Sequence, residues 1–332
     1  MKTIFRGGSM KFFISLCFSF GLFSCMQADK DALDPQSLNK WEYFTQSNGL
    51  PDNYIWSLYE DRKGNIWIGT FNEGVVMYNG KTFQKYNTQN GLVDNTVLCT
   101  YEDNEGKMWF GTLGGLSILD NNHFTNIDNI QGNPLQVFDI IQDPDKVFWF
   151  ATSTLGILFY DGSNISQYFD DNCDDCNRVN VFFMDDNHSI WVGSSGDLKV
   201  VATNGNFKKY TVSDGLPGLD ITSVYQDKSG NVWIGSADGS QVSRFSNNKF
   251  QLVSLFNSSE INYVSSIVQL NTGEMWFGTI ALGLIYSDGI VMRSMFEQHG
   301  LPDNTITAMI KDGNGNIWIG TSEGGAAKFI PR

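Results

Sequence analysis

A short motif of tryptophan, an apolar residue, glycine or alanine, and serine or threonine recurs seven times in this chain of 332 residues. The copies begin at Trp67, Trp109, Trp149, Trp191, Trp233, Trp276 and Trp318. Successive copies lie 40 to 43 residues apart, and together they hold seven of the nine tryptophans. A fixed period of this length is typical of a repeat architecture in which every unit packs against its neighbours.

Each period is predicted to contain four short strands joined by turns. The first strand of the first full unit covers residues 55–60, with counterparts at 97–102, 221–226 and 306–311. The tryptophan lies in the second strand, and the glycine or alanine two residues later shares its face because strand side chains alternate. We expect this small residue to leave room for a large neighbouring ring. Four short strands per period indicate the blade of a β-propeller, and no apolar stripe of helical period is present.

The two ends of the chain predict how the ring of blades closes. The last unit stops at Ile330, Pro331 and Arg332, after its third strand. The segment that begins at Trp41 aligns with residues 83–92, which form the fourth strand and exit loop of the first unit. The sequence therefore predicts an all-β, seven-bladed propeller over residues 41–332, closed by the N-terminal strand pairing into the last blade. Such closure leaves no open sheet edge.

The N-terminal region is predicted to be a signal and a tether. Residues 12–24 form a nearly apolar run after a basic start. The run is too short to span a bilayer, which takes about 20 residues, and is typical of a signal peptide. The small residue before Cys25 resembles a bacterial lipobox. That resemblance implies removal of residues 1–24, lipidation of Cys25 and, because Met26 follows, sorting to the outer membrane. An ordinary cleaved signal with unmodified Cys25 is the alternative.

Residues 25–40 are polar and are interpreted as a spacer between the anchor and the propeller. No second apolar run follows, so we expect membrane contact only through the lipid. The chain carries 36 acidic and 22 basic residues, a net charge of -14. A chain of this charge repels phosphate backbones, which argues against nucleic-acid binding, and it is a poor ligand for anionic lipid surfaces.

The repeat has the form GLPDNxIxxxxEDxxGNIWIGT and resembles the two-component regulator propeller repeat over residues 41–332. The third and fourth units depart from it, at residues 131–136 and 173–177. In that family, such propellers form the periplasmic ligand-sensing part of hybrid histidine kinases. The resemblance implies binding of a small molecule or glycan, or of an envelope protein such as a sensor kinase. Beside the propeller, we expect no kinase, membrane helix or further β domain from this sequence.

A candidate ligand site comes from comparing the repeats with one another. In a propeller, the loops between the second and third strands, and those between blades, meet around the central channel. Positions there that differ between units are free for function. The candidates give an acidic mouth with one cation and aromatic rings: Trp56, Phe71, Glu73, Arg178, Asp197, Asp238 and Glu323. Trp56 stands where other units have Leu98, Phe138, Asn180, Thr222, Ser265 and Thr307, so the fold does not require an indole. Inter-blade packing is the alternative to ligand stacking.

Other repeated or reactive residues are interpreted as structural. A nucleophile is not needed seven times, so we expect the serine or threonine of each motif to make a structural hydrogen bond. Cys99 is expected to be a buried thiol. Cys173 and Cys176 lack a second cysteine or histidine pair, so a tetrahedral zinc site is incomplete. Outside the cytosol, a local disulfide between them is expected instead. We expect no metal and no cofactor.

The enzymatic alternative is a propeller lyase or hydrolase similar to virginiamycin B lyase, which carries a catalytic histidine. His123 and His188 are predicted in turns on the face opposite the candidate mouth, and His299 in a loop between blades. A positioned imidazole for general-base chemistry therefore has no host on a channel strand, although a carboxylate pair could serve. We expect a non-catalytic binding protein, with an enzyme and a structural envelope scaffold as alternatives.

Overall fold

A computed structural model describes residues 40–202, 207–239, 241–255 and 263–331. The predicted signal peptide, the lipidation site Cys25 and nearly all of the spacer lie outside the described residues. Within the described part of the chain, no helix has the length and hydropathy needed to cross a membrane.

The described residues form seven sheets of four antiparallel strands and one small hairpin. The strands of the first half are β1 (Lys40–Phe44), β2 (Ile55–Glu60), β3 (Ile66–Thr70), β4 (Val75–Tyr78), β5 (Phe83–Tyr86), β6 (Val97–Glu102), β7 (Met108–Thr112), β8 (Gly115–Asp120), β9 (His123–Ile127), β10 (Asn129–Ile130), β11 (Asn133–Pro134), β12 (Val137–Gln142), β13 (Phe148–Thr152), β14 (Ile157–Tyr160) and β15 (Ile165–Tyr168). Those of the second half are β16 (Val179–Met184), β17 (Ile190–Ser194), β18 (Leu198–Val201), β19 (Phe207–Tyr210), β20 (Ile221–Gln226), β21 (Val232–Ser236), β22 (Gln241–Ser246), β23 (Lys249–Ser254), β24 (Val264–Gln269), β25 (Met275–Thr279), β26 (Leu284–Ser287), β27 (Met292–Met295), β28 (Ile306–Lys311), β29 (Ile317–Thr321) and β30 (Ala326–Ile330).

Short 3-10 turns stand in five of the loops between blades: Gln46–Asn48, Thr88–Asn90, Asp175–Asn177, Val212–Asp214 and Glu297–His299. The predicted seven-bladed propeller with four antiparallel strands per blade is confirmed. The hairpin of β10 and β11 lies in the loop between the second and third blades, where the repeat departs from its usual form.

The predicted closure of the ring is also confirmed. β1 pairs antiparallel with β30, so the order of the last sheet is β1-β30-β29-β28. The Trp41 ring packs against Phe329 with centroids 5.0 Å apart, and the Tyr43 hydroxyl donates to the Gly300 carbonyl at 2.8 Å. The first and last described strands of the chain therefore hold one another in a single blade.

The core consists of apolar layers between adjacent blades. Trp67 of the first blade meets Phe110 of the second at 5.4 Å, and Trp233 meets Phe277 at 5.7 Å. The small residue after each tryptophan has a different role from the one predicted. A Cβ on Gly69 would collide with the Ser57 side chain and come within 2.8 Å of the Val97 carbonyl oxygen. The glycine therefore makes room for the neighbouring first strands, and not for a large ring.

The repeated hydroxyls are structural, as predicted. In six blades the serine or threonine that ends the motif donates to a backbone carbonyl a few residues ahead, for example from Thr70 to Gly74 at 2.7 Å. The same pattern is seen at Thr112, Thr152, Ser194, Thr279 and Thr321. These bonds close the turn between the second and third strands in those six blades and are therefore part of the fold.

Candidate functional site

The first strand of every blade contains a register shift between its first and third residues, so that its second residue has no partner on the neighbouring strand. Such bulges redirect a side chain out of the regular ladder. All seven bulged residues line the central cavity: Trp56, Leu98, Phe138, Asn180, Thr222, Ser265 and Thr307. The bulge is therefore the local device by which the fold presents one side chain per blade to the channel.

Four of these seven positions serve blade-to-blade hydrogen bonding. Thr222 donates to the Val264 carbonyl at 2.7 Å, Ser265 to that of Ile306 at 2.6 Å, and Thr307 to that of Ile55 at 2.6 Å. Asn180 donates in the same way to the carbonyl of Ile221 at 3.0 Å. The donors of this polar arc are used by the ring itself.

The side chains at the other three positions, Trp56, Leu98 and Phe138, make no such bond within the described residues, and they give the cavity an apolar arc. Trp56 stacks with Tyr54, which also lines the cavity, and with Phe71, and we define these three rings as the mouth platform. Tyr54 and Phe71 have centroids 4.8 Å apart, and each lies 5.9 Å from Trp56, with interplanar angles between 19° and 29°. The backbone N–H of Phe71 donates to the Tyr54 carbonyl at 3.1 Å, and Thr96 Oγ1 donates to the Phe71 carbonyl at 2.5 Å.

All three platform rings are partly exposed, and Trp56 belongs to none of the buried apolar clusters of the described chain. Trp56 therefore packs within its own blade and toward the channel. It does not act as inter-blade core, which was the alternative to ligand stacking.

Two opposite charges also line the cavity, whose volume is about 600 Å³. The guanidinium of Arg178 lies over the Phe138 ring, 5.8 Å from its centroid, and makes no hydrogen bond or ion pair to the described residues. Asp220 is fixed in place, because its Oδ1 accepts from Asn180 Nδ2 and from Ser195 Oγ, both at 2.8 Å. Burial raises the pKa of Tyr263, and Asp220 adds to this while Arg178 opposes it.

A second carboxylate, Asp139, lies in the wall of the cavity. One of its oxygens accepts from the Phe182 N–H of the next blade at 2.7 Å, and the other accepts from Ile140 N–H at 2.8 Å. Burial raises the pKa of Asp139 to about 7. Its equivalents in the other blades are small or apolar: Ser57, Cys99, Val181, Ser223, Ser266 and Ala308. The repeat comparison contained this signal, since only one blade places a carboxylate there.

The structure brings together three of the seven predicted site residues. Trp56 and Arg178 line the cavity, and Phe71 joins the platform. Asp238 accepts from the backbone N–H groups of Leu219 and Asp220 at 3.1 Å each, so it supports the loop that carries Asp220.

The remaining predicted residues do not face the cavity. Glu73 forms an ion pair with Lys85 at 2.6 Å, and Glu323 is exposed away from the cavity lining. Asp197 is fully buried and is paired with Lys199 at 2.7 Å and Lys209 at 2.8 Å. A carboxylate so enclosed is not available at the mouth, because two ammonium groups already neutralise it. The mouth is therefore aromatic, with one cation and one fixed carboxylate, and not acidic as expected.

The predicted disulfide and the predicted buried thiol are both present. Cys173 and Cys176 are disulfide-bonded, with Cα atoms 5.2 Å apart. Cys99 is a buried free thiol, and burial raises its pKa well above the usual range. None of the three histidines, all within the described residues, lines the cavity. His123 starts β9, His188 occupies a turn with φ 59°, and His299 ends the Glu297–His299 turn.

The fold and the site together define a seven-bladed propeller whose central cavity is lined by the first strands of its blades. Four of the seven repeats match the family model described as two component regulator propeller, at residues 49–72, 91–114, 215–238 and 300–323. Each matched segment runs from an inter-blade loop through the first two strands of a blade. A search of curated protein sequences found no match.

Several solved structures share the fold. One is the extracellular domain of BT3049 from B. thetaiotaomicron, described as a hybrid two component system, with a TM-score of 0.73 and 22% identity over 88% of this chain and 42% of that one. Virginiamycin B lyase from Staphylococcus aureus with quinupristin has a TM-score of 0.73 and 12% identity over 89% of this chain and all of that one (100%).

PorZ, a surface component of the type-IX secretion system of Porphyromonas gingivalis, has a TM-score of 0.65 and 18% identity over 86% of this chain and 47% of that one. The chain thus spans less than half of the BT3049 domain and of PorZ. At these identities, all three likenesses show the fold alone.

Proposed function

We propose that the protein is a non-catalytic binding propeller of the bacterial cell envelope, which takes a small molecule or the end of a glycan at the channel mouth. The mouth platform carries this proposal. Two of its three stacked rings, Tyr54 and Trp56, line a cavity in which four other blades use the equivalent side chain for blade-to-blade hydrogen bonds. Aromatic faces of this kind suit the flat apolar face of a sugar or of another ring, and stacking gives about 0.5–1.5 kcal/mol beyond area burial.

The polar groups around the platform define the rest of the ligand. Arg178 offers several N–H donors in a planar fork, which suits a carboxylate or a hydroxyl-rich edge. Asp220 has one oxygen held by Asn180 and Ser195, so that its other oxygen is available to accept from a ligand. A pocket with an apolar lining and few fixed polar groups is the usual form of a small-molecule site. The ligand we propose therefore has one flat face and a polar, hydrogen-bonding edge.

We place the protein at the outer membrane, tethered through a lipid on Cys25, in a sensor-like role. The signal-like N-terminus supports the tether, and the repeats and the likeness to extracellular domains support the envelope. An envelope protein such as a sensor kinase is the partner that would read the occupied state. A purely structural scaffold would need no platform, which favours the binding role.

The test is a thermal-shift screen of the detergent-solubilised full chain against defined oligosaccharides and aromatic metabolites. Each hit is then measured by calorimetry on Trp56→Ala, Arg178→Gln and the control Phe207→Ser, whose ring is 54% exposed on an outer strand. Each mouth variant should raise the dissociation constant about tenfold, which corresponds to a loss of ~1.4 kcal/mol in binding free energy. The control should match the wild type. Hits that ignore both mouth variants would contradict the proposal.

Asp139 favours a second candidate, a lyase or hydrolase acting within the channel. A carboxyl with a pKa near 7 is suited to general acid–base chemistry, and this one lies in the cavity wall. Both of its oxygens are, however, engaged by backbone N–H groups, which makes the binding role the better supported one. Chromatography of every hit after long incubation distinguishes the two, since only an enzyme would generate a new product that Asp139→Asn abolishes.

A further inference from the structure

A network of charged groups lies under the disulfide loop, which we define as residues 170–178. Lys209 Nζ lies 2.8 Å from Asp197 and 3.7 Å from Asp170. The same ammonium lies 3.6 Å from Cys176 Sγ. Lys199 Nζ contacts both oxygens of Asp197 at 2.7 Å, so that two lysines balance two aspartates. Lys209 is thus the cation in direct contact with the disulfide.

The two sulfur-bearing residues differ in exposure. Cys176 is buried, with 3% of its surface exposed, whereas Cys173 is only half-buried. A Cβ on Gly196 would lie 2.7 Å from Cys176 Sγ and 3.0 Å from Cys173 Sγ, so the loop between β17 and β18 covers one side of the bond. An incoming reagent therefore reaches Cys173 more easily than Cys176.

The loop around the bond is held independently of it. The Asn177 side chain accepts from Asp170 N–H at 2.7 Å, and it donates to the Asp170 carbonyl at 2.9 Å and the Cys173 carbonyl at 3.1 Å. These contacts fix both ends of the loop without the sulfur–sulfur bond. Opening the bond therefore need not unfold the blade.

We propose that Cys173–Cys176 is a thiol-exchange site that reacts with dithiol reductants, with Cys176 as the leaving sulfur. A reductant thiolate attacks Cys173 Sγ and forms a mixed disulfide, while the bond to Cys176 breaks and its electron pair stays on Cys176 Sγ. The second thiol of the reductant then attacks the mixed disulfide and releases Cys173. The protein gains two electrons and two protons, and the dithiol becomes a disulfide.

Lys209 decides the direction and the rate of the first step. Exchange is faster when the departing thiol is the better-stabilised thiolate, and a neighbouring ammonium stabilises a thiolate. With Lys209 in place, the charge on Cys176 develops in contact with a cation. Without it, the same charge would form within 4.8 Å of oxygens of Asp170 and Asp197, with Lys199 alone to balance them.

The experiment measures reduction of the full chain by dithiothreitol near neutral pH, followed by maleimide mass-tagging of the released thiols. Lys209→Met should be reduced at least about fivefold more slowly than the wild type, because the departing thiolate loses its neighbouring cation. Lys209→Arg should restore the wild-type rate within about twofold. The matched control is Lys208→Met, whose ammonium lies over the Tyr210 ring at 4.6 Å and which should react like the wild type. A mixed disulfide trapped with glutathione should map to Cys173.

Equal rates in the wild type and Lys209→Met, or a trapped adduct on Cys176, would overturn the proposal. A second measurement covers the case in which Lys209→Met does not fold. In the full chain with Cys173→Ala, the thiolate absorbance of Cys176 is titrated against the Cys173→Ala, Cys176→Ala double variant. The titration midpoint should lie below about 8.5, the ordinary cysteine value, and a midpoint at or above it would also exclude the proposal.

Discussion

The seven bulged positions of the channel show how equivalent residues can be divided between fold and function. Asn180, Thr222, Ser265 and Thr307 bond to the next blade. Trp56 and its platform neighbours make no such bond. A position is available to a ligand only where the blade-to-blade contact is supplied by something else, such as the Ser57 hydroxyl, which reaches the Val97 carbonyl at 3.3 Å.

Asp139 gives a prediction at this scale. Its folded pKa of about 7 lies above the ordinary value of about 3.9 in an unfolded chain. Between those values the folded protein keeps a proton that the unfolded chain has lost, so the contribution of Asp139 to stability falls as pH rises through this window. Asp139→Asn should therefore gain stability relative to the wild type as pH rises from about 4 to 8, by up to about 4 kcal/mol, since each unit of pKa difference is worth about 1.4 kcal/mol.

Urea denaturation at several pH values checks this difference. Asp145→Asn is the control, because Asp145 is an exposed turn residue of the same blade and its substitution should leave the pH profile unchanged. Parallel profiles for the wild type and Asp139→Asn would show that the carboxyl titrates normally in the folded protein.

The same residues show what a sequence can and cannot say about the site. Comparing repeats found Trp56 and Arg178, because a position that varies within a regular ring stands out without any other protein. The same comparison selected Asp197, which also varies, yet it could not reveal that Lys199 and Lys209 enclose its carboxylate. A position that varies between units is one where the repeat does not require a particular residue. The partners of its side chain, however, come from neighbouring strands that only the folded chain brings together.

Within the blade, the turn before the second strand contains a charge contact that the sequence analysis left unassigned. In six blades, the tryptophan indole donates to an aspartate six residues earlier, as from Trp67 to Asp61 at 2.9 Å. The other five aspartates are Asp103, Asp143, Asp185, Asp227 and Asp312. The aspartate was visible in the repeat, but its role depends on the turn bringing it back over the indole. The sixth blade has Leu270 there, and Trp276 Nε1 has no partner among the described residues.

This difference allows a matched test of the contact. Trp318 and Trp276 are equally buried, at 2% and 3% exposure, but only Trp318 donates its indole N–H, to Asp312 at 3.0 Å. Both changes to phenylalanine remove the same volume. Trp318→Phe also leaves a buried carboxylate without one of its donors, so it should lower the free energy of unfolding by about 1–2 kcal/mol more than Trp276→Phe.

Chemical denaturation of the two variants side by side measures that difference directly. Asp312→Asn should cost less in the Trp318→Phe background than in the wild type, because only the indole contact is missing there beforehand, while the bonds from Asn314 and Asn316 are disturbed in both backgrounds. Equal losses in Trp318→Phe and Trp276→Phe would mean that the carboxylate contact contributes nothing net.

At the scale of the whole molecule, almost all of the architecture could be predicted from the sequence. Seven copies of one pattern fixed the number of blades, and the incomplete last unit together with the segment at Trp41 fixed the closure. What the repeat did not predict is the hairpin of β10 and β11, which has no counterpart among the described residues of the other units and so no internal reference. The repeats predict the regular framework well because each unit can be compared with six others. They say little about an exception because no other unit contains it.

The closing strand provides the last prediction. Glu42 lies opposite Lys328 in the pairing of β1 with β30, so cysteines at these two positions should form an intramolecular disulfide. Tyr43 is one residue further along, and its side chain points to the opposite face of the strand. The control pair Tyr43→Cys with Lys328→Cys should therefore not crosslink.

Because the bond between positions 42 and 328 would close nearly the whole ring into one loop, it should raise the free energy of unfolding by up to about 5 kcal/mol. Non-reducing electrophoresis shows whether the bond lies within one chain, and thermal denaturation with and without reductant measures the gain. Crosslinking between two chains, or equal crosslinking in both pairs, would mean that β1 and β30 do not pair in this register.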